Sequence, residues 1–69
     1  MREMEVRHPE VVVPLVGQDG NAFHILGLVR RQMERAEVPA EEIKEFFAEA
    51  TADDYDHLLQ TVMRWVTVE

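Results

Sequence analysis

The sequence predicts an α+β fold, mostly α, with three short helices, an N-terminal β segment before them and a short C-terminal strand pairing with it. Three observations lead there. Apolar residues recur at helical spacing in three separate stretches between Ala22 and Val66. The β-branched runs, Val11-Val12-Val13 and Trp65-Val66-Thr67-Val68, bracket those stretches. Between the first run and the first helix stands Gly17-Gln18-Asp19-Gly20-Asn21, glycine-containing turn residues that end in an Asn able to cap a helix.

Residues 1–10 end at His8-Pro9-Glu10 and read as a flexible leader, which leaves residues 11–69 as a single compact domain. In Val11 to Val16, Pro14 has no N–H for a ladder, so an edge or bulged strand is expected. Asn21 starts the first helix at Ala22, and Ile25, Leu26, Val29 and Met33 mark its apolar stripe. Gly27 costs roughly 1 kcal/mol relative to alanine inside that helix, which suggests close approach of another backbone. Pro39 ends the helix near Glu37-Val38 and suits the first position of the next, whose first turn holds Glu41 and Glu42. Ile43, Phe46, Phe47 and Ala50 form the second helix's apolar face. Thr51-Ala52-Asp53-Asp54 has the pattern of a capping box, opening a third helix with Tyr55, Leu58, Leu59 and Val62 on one side. The chain is expected to leave that helix around Arg64.

Size and charge bound the function. A 69-residue domain buries only ~60% of its unfolded surface, and the absence of cysteine removes disulfide and thiolate-zinc staples. Self-association is the expected substitute, as a homo-oligomer or with a protein partner. The net charge of -7 repels phosphate backbones and anionic lipid, so direct nucleic-acid binding is not expected and a basic partner is. No stretch has the ~20 apolar residues of a membrane span, and Met1-Arg2-Glu3-Met4-Glu5 mixes acid with base, so a cytoplasmic protein is expected.

The chemistry available is narrow. Neither Ser nor Cys occurs, and Thr51, Thr61 and Thr67 have no evident base, so a covalent hydrolytic mechanism is not expected. Asp54, Asp56 and His57 offer the best candidate metal ligands, Asp53 lies four residues before His57, and Asp19, His24 or His8 would have to come from elsewhere in the fold. The competing explanation is helix capping and dipole complementation. Gly17 to Gly20 lacks the Lys and Ser or Thr of a phosphate loop, and the third helix carries Asp53, Asp54 and Asp56 where a DNA-reading helix would be basic. No cofactor is implied. The residues expected at an interface are Val11 and Val13 on the edge strand, Gly27 on the first helix, and the amphipathic aromatics Tyr55 and Trp65.

Gly17-Gln18-Asp19-Gly20-Asn21-Ala22-Phe23, the helix start from Pro39 to Phe46, Glu49-Ala50-Thr51 and Asp54-Tyr55-Asp56-His57-Leu58-Leu59 together give the chain a likeness over most of residues 12–69. On these phrases it resembles a group of small proteins of unknown function from bacterial and phage genomes. The resemblance implies one domain organised by those two turns, and no activity or site residue. Ala52-Asp53 departs from the Ser-Gly pair of that group.

Function is therefore expected to be that of a small acidic protein-interaction module that self-associates, with a divalent-metal-binding protein or enzyme using Asp54, Asp56 and His57 as the alternative.

Overall fold

The first strand, β1 (His8–Val13), alternates in burial over its second half, with Val11 and Val13 inward and Val12 outward. That period of two is what one covered sheet face requires. The computed structural model describes residues 6–15 and 20–69, so Val16 and the Gly17-Gln18-Asp19 part of the turn lie outside the described residues. Strand β1 begins three residues earlier than the sequence suggested. The Arg7 N–H donates to the Arg64 carbonyl at 2.9 Å and the Thr67 hydroxyl to the Pro9 carbonyl at 2.8 Å, so residues 7–9 are held to the C-terminal segment rather than being part of a leader.

After the turn come α1 (Ala22–Arg35), α2 (Ala40–Ala50), α3 (Tyr55–Trp65) and β2 (Val66–Val68). The two strands pair in parallel, an arrangement that needs a long crossover, here the three helices. His8 faces Val66, Val12 faces Thr67 and Val13 faces Val68, so four steps along β1 match one along β2 at an irregularity. Beyond Pro14 the pairing continues, with Leu15 N–H donating to Glu69 C=O and Glu69 N–H to Val13 C=O, both at 3.0 Å.

Asn21 caps α1 as expected, its side-chain oxygen accepting from the Phe23 and His24 N–H groups at 2.8 and 3.3 Å. The helix ends in a Schellman arrangement: Val38 N–H donates to Met33 C=O and Glu37 N–H to Glu34 C=O. Glu37 takes the left-handed position at φ 63°, and Val38 is buried beneath it.

Three local expectations change. Pro39 caps α2 with extended backbone (φ -57°, ψ 143°) instead of occupying its first helical position, because its carbonyl is needed by the N–H groups of Glu42 and Ile43. Asp54, not Thr51, caps α3, accepting from His57 N–H at 3.0 Å. The Thr51 hydroxyl turns back to the Phe47 carbonyl and closes α2. Trp65, expected in the last strand, is the final residue of α3, since it continues the stripe of Leu58, Thr61 and Val62 at helical spacing.

The core lies between the inner face of the sheet and the helices, with Ile25, Leu26, Val29 and Met33 from α1, Phe46 and Ala50 from α2, and Leu58, Val62 and Trp65 from α3. Phe46 packs edge-on against Trp65 at 5.6 Å and against Phe47 at 5.7 Å, the geometry aromatic quadrupoles prefer. Among the described residues no helix is long and apolar enough to cross a membrane.

Candidate interaction surface

At the start of α3, Asp54 is spent on its cap and Asp56, the second residue of the helix, is exposed. The imidazole of His57 turns back to α2, where Nε2 lies 2.9 Å from the Glu49 carbonyl. A carbonyl oxygen only accepts, so Nε2 carries the proton and is not a metal ligand in this arrangement. Among the described residues no three His, Asp or Glu side chains converge on a common point, so Asp54, Asp56 and His57 adjoin in sequence without forming a ligand set; Asp19 lies outside the described residues.

Thr61 and His57, four apart, do meet: Thr61 Oγ1 lies 3.5 Å from Nε2, a pairing not anticipated from the sequence. It is not a nucleophile and base. The hydroxyl donates to the His57 backbone carbonyl at 2.8 Å, Nε2 is already a donor, and Thr61 is fully buried. These contacts satisfy polar groups that burial would otherwise leave costly.

Glu49 is the hub of a larger polar cluster. One carboxylate oxygen accepts the Trp65 indole N–H at 3.0 Å and the other accepts from Arg64 at 3.0 Å. The Trp65 hydrogen bond first, then Arg64, hold the Glu49 carboxyl below the usual carboxylate range, with His57 adding a smaller attraction and desolvation opposing them. The Arg7 guanidinium sits 4.2 Å over the Trp65 ring, while His8 Nε2 lies 2.7 Å from Glu42. Together these contacts tie α2 to α3 and both helices to His8 and Arg7 at the start of β1, and Trp65 is only 3% exposed, so the cluster closes the fold.

The residues expected at an interface divide accordingly. Val11 and Val13 are 2% and 0% exposed, and with Trp65 their side chains belong to the core. Tyr55 is 43% exposed, its hydroxyl donating to the Gly20 carbonyl at 2.5 Å and tying α3 to the turn before α1. Gly27 is exposed, and a Cβ built on it meets nothing within 4 Å, so no backbone of this chain approaches it.

Phe23 is not among the residues expected at an interface, yet it is 84% exposed. Its position on α1 was the available signal. At 3.6 residues per turn, Phe23, Gly27, Arg30 and Glu34 fall within about 60° of one another, away from the stripe of Ile25, Leu26, Val29 and Met33. Phe23, Gly27, Arg30, Arg31 and Glu34 line a shallow depression on the outer face of α1. Arg30 and Glu34 make an exposed ion pair at 3.6 Å along its floor. A large exposed ring beside an open glycine is a surface shaped for packing.

No protein-family model matches this chain, nor does any curated protein or any solved structure.

Proposed function

We propose that the chain is a small acidic protein-interaction module that self-associates through the outer face of α1. One observation carries the reading: Phe23 is 84% exposed, about twice as much as Tyr55, while Phe46 and Trp65 are buried in the core. Exposed aromatics of this kind are the residues that anchor interfaces. The polar clusters favour no catalytic alternative, because the Thr61 hydroxyl is engaged within α3 and the His57 imidazole and Glu49 carboxylate are engaged in joining α2 to α3.

The acidic side of the molecule, with Glu41, Glu42 and Glu45 on α2, suits a basic protein partner, and the net charge of -7 argues against phosphate backbones. Static light scattering over a concentration series, in chelator and again with a divalent-ion mixture, tests the reading. The expected result is a mass that rises above 8.0 kDa with concentration and does not respond to the ions. A constant 8.0 kDa throughout would refute self-association, and a melting temperature raised by one ion would return attention to Asp54, Asp56 and His57.

A further inference from the structure

We propose that a second copy of the chain docks on this face, the two α1 helices crossing antiparallel with each Phe23 seated in the hole beside the other copy's Gly27. The proposal deepens the self-association reading and rests on it. Gly27, Arg30, Arg31 and Glu34 stand at i, i+3, i+4 and i+7, the four positions that on a helix surface form the hole for one knob of a facing helix. All four are exposed, and the hole's floor at Gly27 is open for want of a side chain. Phe23, one turn toward the N-terminus on the same helix, is the knob.

Knob and hole are displaced along α1 by about 11 Å at 1.5 Å per residue. A two-fold axis near Gly27 therefore brings both knobs into both holes at once. A parallel pairing would set Phe23 against Phe23 and leave the holes empty. The antiparallel arrangement is isologous and closes at a dimer.

Charge agrees with this choice of partner. Two copies of a chain with net charge -7 repel in general, but this face carries Arg30 and Arg31 beside a single Glu34 and is spared that acidity. A Phe23 ring entering the hole lies beside those guanidinium groups, a favourable cation–π setting. The same symmetry carries Glu34 to the level of Gly20, just ahead of the partner's α1, whose first turn contains no acidic residue and whose dipole favours one. A single helix of 14 residues covers less than the ~800 Å² per partner of a standard interface, so the dimer is weak and concentration-dependent.

The test compares wild type, Phe23→Ala, Gly27→Leu and an equimolar mixture of the two variants by sedimentation velocity and light scattering. Each variant alone should weaken dimerisation by about tenfold or more, one by removing the knob and the other by filling the hole. The mixture should recover dimer, because the Phe23 kept by one variant enters the hole kept by the other, and the new leucine occupies the space of the missing ring. A Cβ at Gly27 meets nothing within 4 Å beyond the neighbouring backbone of its own helix, and leucine raises helix propensity, so the variant is expected to fold; circular dichroism verifies it. A wild-type dimer indifferent to both variants overturns this face while leaving self-association standing. Failure of the mixture to recover overturns the knob-and-hole pairing, growth beyond a dimer overturns the two-fold axis, and a wild type that is monomeric throughout overturns both readings.

Discussion

Replacing Gly27 by alanine should move fold stability and assembly in opposite directions. The glycine lies inside α1, where alanine is favoured by about 1 kcal/mol. The added methyl meets nothing within 4 Å, so no clash subtracts from that gain. For 69 residues the unfolding entropy is about 145 cal/mol/K, so the gain corresponds to a melting temperature about 7 °C higher. Trp65 is the single tryptophan and is buried, which makes its fluorescence a direct reporter of unfolding. Melts recorded at dilution, below the onset of association, should show the full increase. At high concentration the wild type gains stability by mass action that the variant gains less of, so the difference between them should shrink. A lower melting temperature for Gly27→Ala at dilution would mean that something already occupies the space beside Gly27, and the open hole would be gone.

Two further expectations concern single residues. Glu37→Gly should stabilise the fold by about 1 kcal/mol, measured by urea denaturation, because a left-handed φ of 63° costs a residue with a Cβ and not glycine; the Val38 N–H bond to Met33 that defines the helix end should be unaffected. For Glu49 the sign follows from its lowered folded-state value: the folded protein binds this proton less readily than the unfolded chain, so the contribution is complete above the unfolded carboxylate value of about 4.3 and is lost as pH falls through the lower folded value. Glu49 is 40% exposed, so solvent screening limits the effect to about 1 kcal/mol or less. The stability difference between wild type and Glu49→Gln should therefore be flat at neutral pH and narrow in acid; a difference that widens in acid would contradict the assigned hydrogen bonds.

What the sequence made legible was whatever depends on local chemistry. Asn21 announces a helix start because a short polar side chain after a glycine-containing turn has few other uses, and the stripe from Ile25 to Met33 names the buried face of α1 by spacing alone. The order of strands and helices followed from β-branched runs at both ends. Other features depend on which neighbour arrives. Trp65 has strand-like company in Val66-Thr67-Val68, yet Phe46 and Glu49 of α2 give its ring and its N–H places only the last turn of α3 can reach. His8 and Pro9 carry no strand pattern, and their pairing is set by Val66 and Thr67, more than fifty residues away. That the side chains of Val11 and Val13 face inward was not legible for a related reason: a β-branched run does not say which face the helices will cover. Phe23 was not among the residues expected at an interface, although its angular separation from Ile25 and Val29 was already present in the spacing.

Self-association was expected from the sequence as a remedy for a thin core, and the fold suggests a different relation between the two. A two-stranded sheet is marginal alone, but here Val11, Val13 and Val66 are buried against the helices, and the hydrogen bonds from Arg7 and Leu15 bind the flanks of β1 to the C-terminal segment. Among the described residues no buried side-chain polar atom lacks a partner. The contacts that close the fold therefore sit within one copy, around Trp65 and Glu49, while Phe23 and Gly27 lie on the outward side of α1 and take no part in them. Folding and association are then separable: a charge placed at Phe23 should abolish the dimer yet leave the Trp65 signal and the dilute melting temperature close to wild type. Were the dimer the substitute for a missing staple, the same change would unfold the chain, and that contrast decides whether association serves the fold or the fold serves association.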